Sequence, residues 1–257
     1  MKGELMWSIA PMFSDTSTKM NKSDIHILIA CEESQAIANA FRERGFEAYS
    51  CDLKPCSGGH KEYHINDSCL PLINGKDFKF KTEDGVSHNV KKWDLIIAHP
   101  PCTYLTTSGN RWFNVEKYGD AAIKRINDRK EAMLFFMLFA KSDCERVAIE
   151  NPIGIMNTAY RKPNQIIQPY MWGDDTVKST CLWLKGLPNL VPDITEKPEI
   201  KYKEWVDKNG KKKRQAIDSY SPVTRGTDRQ TKRSKTFNGI ANAIADQWGK
   251  YLEDILF

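Results

Sequence analysis

This sequence predicts an α/β fold built on a doubly wound sheet, and three observations carry the prediction. Two short apolar runs, 95–98 and 147–149, are rich in β-branched residues and end in prolines or polar groups, as strands buried on both faces of a parallel sheet do. A third run, 25–30, passes through the tight loop 31–35 into a helical stretch closed by Gly45, the strand–loop–helix unit from which such sheets are built. The longest helical stretch, 120–141, lies between the first two runs, and its apolar segment 133–140 suits burial against a sheet. At 257 residues and 40% hydrophobic content, the chain can form one substantial domain with a small appendage.

In chain order, residues 1–23 mix Ser, Thr, Lys and Met without a sustained period and read as a flexible N-terminal extension. A core follows over 24–190. Its second strand, 47–53, brings Asp52 to a carboxyl end, where a carboxylate can accept hydrogen bonds from ribose hydroxyls or serve as a plain turn acid. A third strand at 63–65 leads to Asp67-Ser68, and 74–92 reads as a hairpin-like insertion turning at Asp84-Gly85. The strand at 95–98 must stop at Pro100-Pro101, because neither proline can donate to a ladder and each biases the preceding residue toward extended geometry. Cys102 therefore lies in a stiff loop just past a strand's carboxyl end, the edge where open α/β sheets bind ligands. It reads either as a nucleophile or as a small residue packed under the loop.

Tyr104, Arg111 and Trp112 lie in a Thr-, Ser- and Gly-containing segment, 103–114, suited to close over a base, with core packing of Trp112 as the alternative. The strand at 147–152 ends in Glu150-Asn151, so a second strand tip carries chemistry. A further strand is expected at 177–184. Residues 191–232 form a short basic region, with a hairpin over 201–215 turning on the two residues Asn209-Gly210. The closing segment, 233–257, holds an amphipathic helix with Asn238 as its N-cap.

The net charge of +5 is unevenly placed, since residues 201–235 hold twelve Lys and Arg against four acids. That is the footprint of a phosphate-backbone contact or of a solvated basic loop. Seven scattered cysteines, several inside expected strands, argue against a disulfide scaffold and for a reducing cytoplasm. Cys51, Cys56, His60, His64 and Cys69 lack the Cys-x2-Cys knuckle of zinc sites, so no metal is expected. No apolar run reaches membrane-spanning length, and residues 1–11 have the pattern of neither a signal peptide nor an anchor.

Several stretches together resemble the cytosine-C5 DNA methyltransferase superfamily, in a compact phage-type branch with a reduced target-recognition region. They are Ala30-Cys31-Glu32, Ser50-Cys51-Asp52-Leu53, Ala98-His99-Pro100-Pro101-Cys102-Thr103-Tyr104-Leu105, Glu150-Asn151, Thr180-Cys181-Leu182-Trp183-Leu184 and Arg233-Ser234-Lys235-Thr236-Phe237. The likeness covers roughly residues 25–249. It implies a Rossmann-like, class I S-adenosylmethionine-dependent methyltransferase acting on C5 of cytosine in DNA, duplex or single-stranded. The expected protein is a monomer in the cytoplasm, the host's if the chain is phage-encoded.

By the same resemblance Cys102 attacks C6 of the ring, Glu150 acts at N3 with a raised pKa, and Asn151 orients it. On the base-facing strand, where the larger family alternates Gln, Arg and Arg, this chain has Thr176, Lys178 and Thr180, which makes Lys178 the candidate for holding the base carbonyl. Cofactor-binding positions would be Ala30, Cys31, Glu32, Glu33, Ser34, Asp52, Leu53, Asp67, Ser68, Pro100, Asn238 and Gly239. Nucleic-acid contacts would come from Tyr104, Arg111, Lys211, Lys212, Lys213 and Arg214. Two departures stand out: the loop 31–35 has no glycine, and only roughly thirty-five residues separate Gly186 from Ser221, where the family inserts a large recognition domain. The competing readings are methylation of an exocyclic amino group and a catalytically silent nucleic-acid binder of the same fold.

Overall fold

The structure is a computed structural model that describes residues 21–199, 201–216 and 235–257. Its eleven strands are β1 His26–Ala30, β2 Glu47–Cys51, β3 His64–Ile65, β4 Phe78–Lys81, β5 Ser87–Val90, β6 Leu95–Ala98, β7 Val147–Pro152, β8 Gln165–Ile167, β9 Thr180–Lys185, β10 Tyr202–Val206 and β11 Lys212–Ala216. Seven of them form one sheet in the order β3-β2-β1-β6-β7-β9-β8, while β4-β5 and β10-β11 are separate hairpins. The first five sheet strands run parallel and β9 runs antiparallel to both its neighbours, so the sheet is mostly parallel, consistent with a Rossmann-like arrangement. The helices are α1 Ala36–Arg42, α2 Val115–Tyr118, α3 Asp120–Ala140, α4 Met156–Ala159 and α5 Asn238–Leu256. No helix of the described residues is long and apolar enough to cross a membrane.

Strand alternation divides the apolar residues between two cores. Ile27, Ile29, Leu95, Ile97, Ala148 and Leu182 pack with α1 and α5 on one face, and Leu28, Ile96, Ala98, Ile149 and Trp183 pack with α3 on the other. On the α3 side Phe136 meets Trp183 edge-on at 5.1 Å between ring centroids, with both side chains buried. The apolar segment of α3 is buried along one face only, because Leu134 and Leu138 point away from the sheet into solvent. The end of α1 has the form expected around Gly45: φ is +90°, Gly45 N donates to Arg42 O and Phe46 N donates back to Phe41 O.

Four boundaries differ from the sequence reading. β2 stops at Cys51, two residues before Leu53. β9 begins at Thr180 rather than Val177, because its neighbours end there: Pro152 of β7 and Ile167 of β8 both pair with Thr180, and nothing further on offers a ladder. The β10-β11 turn is not a two-residue one. Asp207 N donates to Lys211 O, the Asp207 carboxylate accepts from Asn209 N and Lys211 N, and Gly210 takes φ +74°, the longer turn with a left-handed residue at its end. The N-cap of α5 is Phe237, without a side-chain cap bond, and Asn238 is the first helical residue. Most of the expected N-terminal extension, together with Arg233 and Ser234, lies outside the described residues.

Strand order places the crevice. From β1 the chain proceeds outward through β2 and β3, whereas β6 and β7 lie on β1's other side, so the loops leaving β1 and β6 diverge and open a cleft at their carboxyl ends.

Candidate active site

The tips of β6 and β7 are fastened together. Ala98 pairs with Ile149 and Asn151 Nδ2 donates to Pro100 O at 2.7 Å, while on β6's other side His99 N donates to Ala30 O of β1 at 2.9 Å. The Cys102 carbonyl accepts from Leu105 N and Thr106 N, which closes a turn carrying the half-buried thiol. That turn lies against the chain leaving β7: Ile155 N donates to Leu105 O at 2.8 Å and Thr106 bridges Gly154. A Cβ at Gly154 would come 2.0 Å from Leu105 O, so only glycine permits the approach. The thiol-bearing loop and the loop beyond Glu150 thus form one packed unit, and Asn151, buried, is part of the fastening.

Period-two alternation puts His99 and Glu150 on the same face as Ile97 and Ala148, the α1–α5 side. There they line a pocket with Lys178, Thr180, Lys235 and Phe237 around its polar end and Ile240, Ile244 and Trp248 of α5 along its apolar wall. His99 Nδ1 is 3.1 Å from Glu150 Oε2, and His99 Nε2 is buried with no hydrogen-bond partner. Burial pushes the Glu150 carboxyl up, but the His99 hydrogen bond and charge, then Lys178 and Thr180, bring it below the ordinary carboxylate range. Burial pulls His99 down, and Glu150, followed by Glu32, more than reverses that, so its pKa is raised. The expectation of a raised Glu150 pKa is therefore corrected. The hydrogen bond between them thus favours the charged forms of both groups, carboxylate on Glu150 and imidazolium on His99.

Around the first loop, backbone freedom comes without glycine. Cys31 and Gln35 both adopt left-handed φ, +62° and +57°. Cys31 N and Glu32 N both donate to Cys51 O. The Gln35 amide donates to Ser50 Oγ and His60 O and accepts from His60 N, while His64 bridges Ser50 Oγ and Lys54 O. The glycine sits instead in the facing loop, where a Cβ at Gly58 would come 2.5 Å from Ser34 O. Glu32 is buried with its carboxylate accepting from Ile37 N and Ala38 N, so it serves the start of α1. Glu33 Oε1 is buried without a partner.

Asp52 is half-buried at the end of β2, Leu53 is 77% exposed, and Asp67 Oδ1 accepts from Ser68 N. Ala30 is fully buried in β1, and Ser34 lies half-buried in the loop. Asn238 is exposed, whereas Gly239 packs so closely on Trp172 O that a Cβ would lie 2.2 Å from it. Close approach is the physical reason for glycine there. Among the described residues, no group of three or more His, Cys, Asp and Glu is placed to hold a metal ion. Contact with Cys69 and burial push the Cys31 thiol up, and burial does the same for Cys51, Cys144 and Cys181.

The segment after Cys102 is tied to α3 by two arginines. Arg125 donates to Thr103 O and Arg129 to Tyr104 O and Asn110 Oδ1, with the Arg129 guanidinium 3.4 Å from the Phe113 ring centroid. Trp112 is 43% exposed and is no core residue. Arg111 lies over its ring, and Tyr118 is 5.1 Å away. Lys211, Lys212, Lys213 and Arg214 are exposed on and beside β11. Lys178 precedes β9 and lies at the cavity with Glu150. Sequence reading assigned no role to His99, Gly154 or Lys235, and had placed Thr180 on the base-facing strand. His99 stood in plain view before the two prolines, but its partner is 51 residues away. No protein-family model matches the chain, and no curated protein matches it.

Proposed function

We propose that the protein transfers a methyl group from S-adenosylmethionine to C5 of cytosine in DNA, through a covalent bond between Cys102 Sγ and C6 of the ring. The observation that carries this reading is the Asn151–Pro100 hydrogen bond, which ties the Cys102 loop to the strand tip bearing Glu150. A thiol and a carboxyl group held on adjacent strand ends can address one pyrimidine. C5 of cytosine is a poor nucleophile until C6 carries an added thiolate, which makes the C5=C6 unit enamine-like and drives charge toward N3 and the carbonyl oxygen. The His99–Glu150 pair holds the proton that N3 takes up, and the Lys178 ammonium is placed to meet charge on the carbonyl oxygen. After methyl transfer to C5, loss of the C5 proton to solvent, return of the N3 proton to the His99–Glu150 pair and departure of Cys102 as thiolate restore the aromatic ring.

The residues near the first loop fit the cofactor in kind. Glu33 Oε1 is an orphaned acceptor for an ammonium, Asp52 can take ribose hydroxyls, and exposed Leu53 offers an apolar surface to adenine. When bound, S-adenosylmethionine supplies an electrophilic methyl carbon. The protein's part is to hold that group, to present Cys102, and to place a proton at N3. A base inside a duplex has to leave the stack to reach Cys102.

Incubation with tritiated cofactor and DNA, followed by nucleoside analysis, should yield 5-methylcytosine, and DNA containing 5-fluorocytosine should give an adduct that survives denaturation. Cys102→Ala should abolish both. A Cys102→Ala protein that still methylates would instead identify transfer to an amino group. Glu150→Gln should lower kcat by about 10²–10⁴-fold, the usual contribution of a positioned acid.

A further inference from the structure

Six of the seven tryptophans are among the described residues, and four of them, Trp93, Trp172, Trp183 and Trp248, are buried. The other two, Trp112 and Trp205, are each 43% exposed, and both sit among cations. Trp112 has the Arg111 guanidinium 4.7 Å from its centroid, and the neighbouring Tyr118 ring has Lys117 Nζ at 5.4 Å. This cluster begins nine residues after Cys102, next to Asn110, whose side chain accepts from Arg129 of α3. On the β10-β11 hairpin Trp205 pairs across the ladder with Lys213, and Lys203 shares its face; on the opposite face Arg214 lies over Tyr202 at 4.8 Å. Residues 201–216 hold seven Lys and Arg against two acids.

From this pairing of exposed ring faces with cations we infer that the preferred partner is single-stranded DNA, its bases stacking on Trp112 and Trp205 and its phosphates meeting the flanking Arg and Lys side chains. Ring faces of bases in a duplex are covered by their neighbours, so an aromatic platform can use them only when the strand is unpaired. An unpaired strand also removes most of the cost of bringing a base out to Cys102. The small hairpin fits the same partner, because stacking and phosphate contacts need no large groove-reading domain. The inference rests on the proposed reading for its choice of DNA, but binding can be measured without catalysis.

The test is fluorescence anisotropy with the full chain and a labelled oligodeoxynucleotide of about twenty bases, alone and annealed to its complement, at two salt concentrations. The single strand should bind more tightly than the duplex. Trp112→Ala and Trp205→Ala should each weaken single-strand binding by about tenfold, the loss of one stacked base, with the thermal midpoint unchanged. Cys102→Ala should keep the strand preference, so a failed methyl-transfer assay and a failed preference are separate results. Equal or tighter duplex binding, single-strand binding indifferent to both tryptophans, or tighter binding of an RNA strand of the same sequence would each overturn the inference.

Discussion

His99 and Gly154 show how much a single position can carry at this site. The His99 pKa is raised because Glu150, followed by Glu32, outweighs burial and the Lys178 charge, which oppose protonation. A histidine whose folded pKa is raised contributes stability that is complete below its ordinary value and is lost as pH rises through the raised one. A carboxylate whose pKa is depressed contributes stability above its ordinary range and loses it as pH falls through the folded value. The pair therefore stabilises the fold most between the carboxylate and histidine ranges. His99→Gln should remove that window. Denaturant titrations across pH should show wild type more stable than the variant in mildly acid solution, between the carboxylate and histidine ranges, the difference shrinking toward alkaline and strongly acid pH. The pH dependence of the rate should also change in the variant, because Glu150 loses the imidazolium that lowers its pKa and its carboxyl then titrates at higher pH. Equal stability differences at every pH would refute the pairing.

Gly154→Ala should cost about 1–3 kcal/mol by forcing the loop away from Leu105 O, and should lower kcat further than the stability loss explains. Neither residue was legible as functional in the sequence. A lone histidine and a lone glycine carry no signal until the partner strand supplies a carboxylate and a carbonyl.

At the scale of elements, the local code was clear where one face or both were buried. β1, β6 and β7 read as apolar runs because each side of the sheet has its own core, and α3 read as a helix from its length. The packing of α3 rests on Phe136 and Phe139, not on the whole apolar segment. Phe136→Ala should therefore cost about 3–5 kcal/mol in denaturant unfolding, while Leu134→Ala on the outer face should stay within about 0.5 kcal/mol. Comparable losses at the two positions would mean that the outer face is covered. The start of β9 and the form of the β10-β11 turn were not legible, because a strand's end is set by where its neighbours stop and the turn's form by Asp207. The loop after β1 is a mixed case. Its place at a strand's carboxyl end was plain, but its left-handed Cys31 and Gln35 depend on the buried Gln35–Ser50–His64 contacts and on Gly58 across from it.

For the whole molecule, the sequence by itself determined the α/β class, the two chemically marked strand ends and the concentration of positive charge in one short segment. These are local properties: apolar period, proline punctuation and the density of Lys and Arg can be read within a window of a few residues. Only the tertiary structure decided that β6 and β7 are neighbours, that His99 lies within hydrogen-bond distance of Glu150, that Glu32 serves α1, and that Trp112 and Trp205 face solvent while four other tryptophans do not. Each of these depends on residues brought together from distant parts of the chain, and the energy of a buried charge or an exposed ring is fixed by those neighbours, not by its place in the sequence.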